Sequence, residues 1–263
     1  MAEYQYLQLE YRDDCATVWL NRPERHNAFH AELIAELQRC VEQLSKQPTL
    51  RAIVLAGRGA SFCAGADLQW MQQQAAAGYQ ANLQDARRLA QLLRTLAQLS
   101  KPLLARVHGV ALGGGLGLVA TCDIAIGSRE AQFATSEVRL GLTPSTIAPY
   151  VLAAIGERAA RRYFQTGERF GALEALRIGL LHEVVEGEAL EARVEALLGV
   201  LRGAAPQAQA HCKQLLAQLR GRDPAEAAVL EQTAQSIASV RAGGEAQEGM
   251  AAFLAKRRPS WAP

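Results

Sequence analysis

The stretch His108-Gly109-Val110-Ala111-Leu112-Gly113-Gly114-Gly115 decides the predicted fold. It follows an apolar run at residues 102–107, which predicts a buried strand, and it precedes small residues that predict a helix as far as Thr121. A second stretch, Ser61-Phe62-Cys63-Ala64-Gly65-Ala66-Asp67, has the same design after the strand predicted at residues 51–56. Repeated alternation of strand, loop and helix predicts an α/β fold.

The same alternation extends outward from these two loops. Residues 4–10 and 15–20 predict a β-hairpin, and an apolar stripe at helical spacing predicts a helix over residues 33–44. Residues 83–96 predict a second amphipathic helix, and residues 123–127 predict a further strand.

The C-terminal part of the chain has a different pattern. From about residue 188 the strand signals disappear, and Asp223-Pro224 predict the start of a helix that reaches Val240. We therefore predict a core domain at residues 1–187 and a helical region at residues 188–263, packed on the core or on a neighbouring subunit.

Composition argues against several classes of function. The 263 residues are 49% hydrophobic and 21% charged, with a net charge of +2 and no block of like charges, so neither a nucleic-acid surface nor a membrane surface is indicated. No apolar run approaches the roughly 20 residues of a membrane span, and we expect a cytoplasmic protein without an export signal. The five cysteines are scattered and odd in number, which argues against a disulfide framework and a zinc site, so no metal is expected.

Each of the two small-residue loops could present backbone N–H groups that have no hydrogen-bond partner. The first amides of a helix have no partner within it and carry partial positive charge, so two such loops that converge would stabilise an oxyanion. One alternative is that the glycines only form turns and allow close packing. Another is a dinucleotide site, because Gly115-Leu116-Gly117-Leu118-Val119-Ala120 fits the pattern G-x-G-x-x-A, although this cluster does not follow the first strand.

Four motifs resemble the crotonase (enoyl-CoA hydratase and isomerase) superfamily. They are Asn21-Arg22-Pro23-Glu24-Arg25-His26-Asn27-Ala28, Phe62-Cys63-Ala64-Gly65-Ala66-Asp67, Gly109-Val110-Ala111-Leu112-Gly113-Gly114-Gly115 and Ala131-Gln132-Phe133. Residues 248–257 are also similar to the family's closing helix. The resemblance implies a spiral of ββα turns with a helical C-terminal trimerisation region, assembled as a homotrimer or a dimer of trimers. It also implies an acyl-CoA substrate and no separate cofactor, since CoA enters as part of that substrate.

The resemblance also assigns site residues. It implies that the thioester oxygen is held between the backbone N–H groups of Ala66 and Gly114. The residues expected to bind the CoA portion belong to the first two motifs and to the closing helix. They are Arg25, Ala28, Ala64, Gly65, Asp67, Leu68, Phe253 and Lys256.

Hydratases of this family use two glutamates, and this sequence resembles them at one of the two positions. Glu137 matches the second glutamate, whereas the first position is Gly117. We therefore expect Glu137 to be the acid/base, the alternative being a solvated surface carboxylate. A carboxylate on the substrate is one candidate to replace the missing group.

A second resemblance concerns residues 137–150 and 155–164, which are similar to the bacterial methylglutaconyl-CoA hydratases and to the isohexenylglutaconyl-CoA hydratases. It implies reversible hydration of 3-methylglutaconyl-CoA to 3-hydroxy-3-methylglutaryl-CoA, as in leucine catabolism. The distal carboxylate of such a substrate requires a partner, and Arg106 and Arg139 are candidates, although a structural ion pair is favoured over substrate binding for Arg106.

Several other interpretations remain open at this point. An enoyl-CoA isomerase needs one carboxylate, and a non-catalytic acyl-CoA-binding protein or a nicotinamide-dependent oxidoreductase would need none at Glu137. Trp70 and Tyr150 are expected to shape the acyl pocket, and His108 is expected to be a hydrogen-bonded structural residue.

Overall fold

The computed structural model describes residues 4–262, which form nine strands and ten α-helices. The strands are β1 (Leu7–Arg12), β2 (Cys15–Leu20), β3 (Ala52–Gly57), β4 (Leu103–Val107), β5 (Val110–Leu112), β6 (Ile124–Ser128), β7 (Gln132–Ala134), β8 (Phe170–Gly171) and β9 (Glu183–Val185). The helices are α1 (Ala31–Ser45), α2 (Leu68–Ala76), α3 (Gly78–Ala97), α4 (Gly114–Thr121), α5 (Ala148–Thr166), α6 (Ala172–Arg177), α7 (Leu190–Gly203), α8 (Pro206–Leu219), α9 (Ala227–Ala242) and α10 (Gly244–Leu254).

The strands form two sheets, and from β4 to β7 successive strands belong alternately to the larger and the smaller sheet. The larger sheet has the order β1-β2-β3-β4-β6-β9 and is parallel except for the β1–β2 hairpin, and the smaller sheet has the order β5-β7-β8. Strands β4 and β5 are followed by α4, and β6 and β7 are followed by α5, so each of these two turns of the chain supplies one strand to each sheet and then a helix. The predicted α/β spiral of ββα turns with a helical C-terminal region is confirmed.

The larger sheet is covered on both faces, which explains its near-continuous apolar strands. All six residues of β3, with the sequence AIVLAG, are buried. One face packs against α1, α3, α4 and α5 in the main core, which contains fully buried Phe29, Phe62 and Phe133. The other face packs against α7 through Leu190, Val194 and Leu198. Burying each such side chain stabilises the fold by roughly 1.5–3 kcal/mol.

Two predicted boundaries differ from the structure. The first strand runs over Leu7–Arg12, three residues further along than predicted, because its pairing partner Cys15–Leu20 fixes the register. The helix predicted to start at Asp223-Pro224 starts at Ala227, and the Asp223 carboxylate instead accepts a hydrogen bond from the Ala225 N–H at 2.9 Å in the preceding turn. Within residues 4–262, no helix is long and apolar enough to cross a bilayer.

Candidate active site

A cavity of about 280 Å³ opens where the two small-residue loops meet. Its walls come from Phe29, from the loop around Ala66 and the start of α2, from Gly113 and Gly114, and from residues 136–147. Of the predicted site residues, Ala64, Gly65, Ala66, Leu68, Gly114 and Glu137 line it. The structure therefore brings together the predicted oxyanion loops and the predicted acid/base.

The first wall of the cavity is the turn before α2, where Ala66 lies opposite Phe29. The Phe29 N–H donates to the Gly65 carbonyl at 2.7 Å, and the Asp67 N–H donates to the Phe29 carbonyl at 2.8 Å. Gly65 has a φ of 90°, a conformation that favours glycine. The Ala66 N–H between these two bonds donates to no group within residues 4–262 and stays available to a ligand.

The second wall is the start of α4. Gly113 has φ 49° and ψ −120°, which L side chains rarely adopt, and its carbonyl accepts the first helical hydrogen bond from Gly117. The Gly114 N–H, as the first amide of the helix, donates to no group among the described residues 4–262. A Cβ on Gly114 would lie 2.4 Å from Phe29 Cε2, so the aromatic ring fixes the position of this amide.

Backbone hydrogen bonds hold the two loops side by side. The Cys63 N–H donates to the Val110 carbonyl and the Leu112 N–H donates to the Cys63 carbonyl, both at 3.0 Å. A Cβ on Gly65 would lie 2.9 Å from the Leu112 carbonyl oxygen, which shows how closely the loops approach. Two free N–H groups on adjacent loops can together donate hydrogen bonds to one carbonyl or enolate oxygen.

Asn27 anchors this arrangement, and the sequence motif that contains it did not by itself indicate the role. Its side chain is fully buried, its backbone has a φ of 56°, and its Nδ2 donates to the carbonyls of Arg58 and Ser61 at 2.9 and 2.8 Å. Its Oδ1 accepts from the Arg22 N–H at 2.9 Å. Its burial and left-handed conformation are properties of the folded chain, so the sequence offered only the residue type, an asparagine, which tolerates that conformation.

Asp67 is engaged within the protein. Its carboxylate forms an ion pair with Arg22 at 2.8 Å and caps α2 by accepting from the Gln69 N–H at 2.8 Å. Burial alone would raise the pKa of Asp67, but the Arg22 hydrogen bond and the capping amides lower it below its usual value. The Asp67 N–H and carbonyl are also engaged, with the Phe29 carbonyl and the Met71 N–H respectively, and the binding of CoA by Asp67 stays a prediction.

Glu137 lies on the short 3-10 helix Ser136–Leu140, with its carboxyl group against the second loop. Its Oε1 lies 3.0 Å from the place that a Cβ on Gly113 would occupy, and its Oε2 is buried with no hydrogen-bond partner in residues 4–262. Burial raises the pKa of Glu137 above its usual value. These features are not those of a solvated surface carboxylate, and they are typical of a proton-transfer group.

Gly117 has no room for a side chain. A Cβ there would lie 2.2 Å from Ile147 Cγ2 and 3.8 Å from Leu93 Cδ2, so apolar groups occupy the direction in which a glutamate would extend. A Cβ on Gly115 would similarly lie 2.3 Å from the Cys63 carbonyl oxygen. The Cα atoms of both glycines are therefore covered by protein, which argues against the dinucleotide site, since its glycines must approach a pyrophosphate.

This close packing predicts that Gly117→Ala destabilises the protein by about 1–3 kcal/mol, because the added methyl group overpacks the contact with Ile147. Combined with Ile147→Ala, the substitution should cost less than the sum of the two single changes, because the second removes the clash. Urea unfolding of the four proteins measures this coupling. Gly199→Ala on α7, where nothing lies within 4 Å of the added Cβ, is the control and should not destabilise. Additive free energies would contradict the assignment.

The remaining residues predicted to contact CoA lie outside the cavity lining. Arg25 is exposed at the end of the short helix Pro23–Arg25, and Ala28 is buried beneath it. Phe253, on α10, is 83% exposed, and Lys256, just after it, is also exposed. None of these four residues lines the cavity, and their binding of CoA stays a prediction.

Neither arginine proposed for a distal carboxylate reaches the cavity. Arg106 forms an ion pair with Glu191 on α7 at 2.9 Å, so the structural alternative is the one observed, and Arg139 is exposed. Among the described residues, no lysine, arginine or histidine lines the cavity.

His108 donates to the Gly59 carbonyl at 2.8 Å, and burial lowers its pKa, which fits its predicted structural role. Trp70 lines the cavity as expected, but Tyr150 packs on the core and does not.

Comparison with known proteins adds independent findings. The sequence family described as Enoyl-CoA hydratase/isomerase matches residues 10–263. The chain is 34% identical to a putative enoyl-CoA hydratase of Thermus thermophilus over 93% of this chain and 96% of that protein. It is 32% identical to the 1,2-epoxyphenylacetyl-CoA isomerase of Escherichia coli over 93% of this chain and 94% of that protein. The crystal structure of an enoyl-CoA hydratase from Shewanella pealeana is similar with a TM-score of 0.96 and 39% identity, covering 98% of this chain and 97% of that one.

Proposed function

Because the chain belongs to the enoyl-CoA hydratase/isomerase family, we propose that it adds water reversibly to an α,β-unsaturated acyl-CoA with Glu137 as the single catalytic carboxylate. One observation carries this proposal. The buried Glu137 carboxyl group has no partner for Oε2 among residues 4–262 and lies against Gly113, one residue before the free Gly114 amide. A proton-transfer group thus lies beside a candidate oxyanion hole.

The two free amides activate the substrate. The thioester oxygen accepts hydrogen bonds from the N–H groups of Ala66 and Gly114, which draws electron density from the conjugated double bond toward oxygen. The β carbon becomes electrophilic, and negative charge collects on the thioester oxygen as water adds. Because the amides are fixed before the reaction, each donor can contribute about 2.7–4 kcal/mol of transition-state stabilisation.

Glu137 performs both proton transfers in turn. Its ionised carboxylate removes one proton from water as the water oxygen bonds to the β carbon and the double-bond electrons move to form the enolate. The same proton then passes from the Glu137 carboxyl group to the α carbon as the enolate collapses to the thioester. The sequence of steps consumes one water, returns Glu137 to its ionised state and needs no second carboxylate at position 117.

Within this reaction class we propose 3-methylglutaconyl-CoA as the substrate and 3-hydroxy-3-methylglutaryl-CoA as the product. The similarity of residues 137–150 to enzymes of that substrate class supports the choice. The cavity of about 280 Å³ suits a short branched acyl group better than the longer isohexenyl chain. Since no lysine, arginine or histidine within residues 4–262 lines the cavity, the distal carboxylate is held by neutral donors.

We also propose a homotrimer or dimer of trimers formed through the C-terminal helices. Large apolar side chains lie exposed on this region, among them Leu216 on α8, Ile237 on α9 and Phe253 on α10. Large apolar side chains that one chain leaves exposed are candidates for burial in a subunit contact.

A pH profile of hydration tests the proposed role of Glu137. We expect the enzyme to hydrate 3-methylglutaconyl-CoA, with kcat/KM falling tenfold per pH unit on the acidic side. Activity needs the ionised carboxylate and burial raises its pKa, so the midpoint of this fall lies above the ordinary glutamate value of 4.5. Loss of absorbance of the conjugated thioester measures the rate.

Two outcomes would contradict this function. Movement of the double bond in a 3-enoyl-CoA, without addition of water to 3-methylglutaconyl-CoA or crotonyl-CoA, would make the protein an isomerase. Acyl-CoA binding with no turnover of any of these substrates would make it a non-catalytic binding protein. A kcat/KM that rises as pH falls would show that Glu137 does not act first as a base.

A further inference from the structure

Trp70 lines the cavity and carries a hydrogen-bond donor that has no partner among the described residues. It lies on α2 and lines the same cavity as Glu137 and Gly114. Its indole Nε1 is buried and has no hydrogen-bond partner within residues 4–262. A buried polar group without a partner is unfavourable and uncommon in folded proteins, so its retention in a ligand cavity calls for an acceptor that the ligand supplies.

The other polar groups of the cavity narrow the choice of ligand. Ser136 and Thr146 line the cavity, and their hydroxyl groups form no hydrogen bond within the described part of the chain, residues 4–262. Glu137 is the only ionisable side chain among the lining residues that the structure describes. Because an indole N–H can only donate, and hydroxyl groups can donate as well as accept, this set suits an oxygen-rich group on the acyl chain.

We propose that the Trp70 indole N–H binds the terminal carboxylate of the acyl group and so selects dicarboxylic acyl-CoA substrates. The inference rests on the proposed function, which places the thioester oxygen on the Ala66 and Gly114 amides. With that oxygen engaged, the acceptor that remains inside the acyl cavity belongs to the far end of the acyl chain. Ser136 and Thr146 then supply further donors to the same carboxylate.

Helix α2 can make the small adjustment that this contact requires. None of its nine residues is buried, and it runs from the Asp67 cap to Gly78, which has a φ of 79° and open space around it. A tilt of α2 that exposes the Trp70 Nε1 to a ligand therefore breaks little of the packed core.

Binding of two saturated ligands to the wild type and to Trp70→Phe tests the proposal. 3-Methylglutaryl-CoA and isovaleryl-CoA share the branched acyl skeleton and differ in the terminal carboxylate, and neither can be hydrated. Phenylalanine keeps an aromatic ring in the packing and removes the N–H. We expect wild type to bind 3-methylglutaryl-CoA more tightly than isovaleryl-CoA. Trp70→Phe should raise the dissociation constant of 3-methylglutaryl-CoA by about tenfold or more and change that of isovaleryl-CoA by less than about twofold. Isothermal titration calorimetry measures both dissociation constants.

Trp19→Phe is the matched control, because the Trp19 Nε1 donates to Glu10 Oε2 at 2.8 Å outside the cavity. It should change neither dissociation constant. Equal weakening of both ligands by Trp70→Phe would show that Trp70 only packs, and an unchanged affinity for 3-methylglutaryl-CoA would overturn the proposal, as would a wild type that does not distinguish the two ligands. Since neither ligand turns over, these outcomes are independent of whether the protein proves to be a hydratase or an isomerase.

Discussion

Replacing Glu137 with glutamine should lower kcat for hydration by about 10³-fold or more while acyl-CoA binding changes by less than about threefold. General acid–base catalysis by one residue contributes roughly 10²–10⁴-fold, and in the proposed mechanism one side chain serves both transfers. The amide of glutamine fills the same space beside Gly113 but cannot take a proton from water. The free amides of Ala66 and Gly114 remain in place, so binding and part of the oxyanion stabilisation persist.

Single-turnover kinetics with 3-methylglutaconyl-CoA and calorimetry with a saturated acyl-CoA separate the two effects. Glu157→Gln is the matched control, since this glutamate is exposed on α5 in an ion pair with Arg161 and should leave both measurements unchanged. A Glu137→Gln enzyme within tenfold of wild type would remove Glu137 from the mechanism.

The two loops predicted to form the oxyanion hole could be located in the sequence because the turns within them depend on local residue types. Gly65, Gly113 and Gly114 indicate tight turns and close approach of the backbone to other groups. The strands before them are recognisable as short apolar runs. A conformation that depends on residues adjacent in the chain can be inferred from the types of those residues. The placement of the two loops side by side followed from the fold.

The sequence could not identify contacts between residues that are distant along the chain. Arg106 interrupts an apolar strand, but its partner Glu191 lies 85 residues away, so nothing local distinguished an ion pair from a substrate contact. Gly117 indicated an absent carboxylate, yet only the structure shows that Ile147 fills the space. The predicted start of the helix at Asp223 was wrong for a local reason. The Asp223 carboxylate accepts a hydrogen bond within a turn, which competes with its use as a helix cap, and the helix starts at Ala227.

The role of the Gly114 N–H as an oxyanion donor can be tested through Phe29, whose ring lies against Gly114. Gly114→Ala should lower kcat by about 10²–10³-fold, the loss that follows removal of one oxyanion donor. An added Cβ would lie 2.4 Å from Phe29 Cε2, so either the start of α4 or the ring must move, and the N–H leaves its position relative to the Ala66 N–H. A displacement of about 1 Å is enough for a loss of this order. Steady-state and single-turnover rates of hydration measure the effect.

A second change in the same protein distinguishes displacement of the amide from general damage to the fold. Phe29→Leu removes the ring atom that the new methyl group strikes, so the double variant should recover part of the activity lost in Gly114→Ala, even though Phe29→Leu alone destabilises the core. Gly199→Ala on α7 controls for glycine replacement in a helix. If Gly114→Ala keeps full activity, or if Phe29→Leu lowers the rate further by the amount it lowers wild type, the amide of Gly114 is not held in position by this ring. Full activity of Gly114→Ala would also mean that the Ala66 N–H alone donates to the oxyanion.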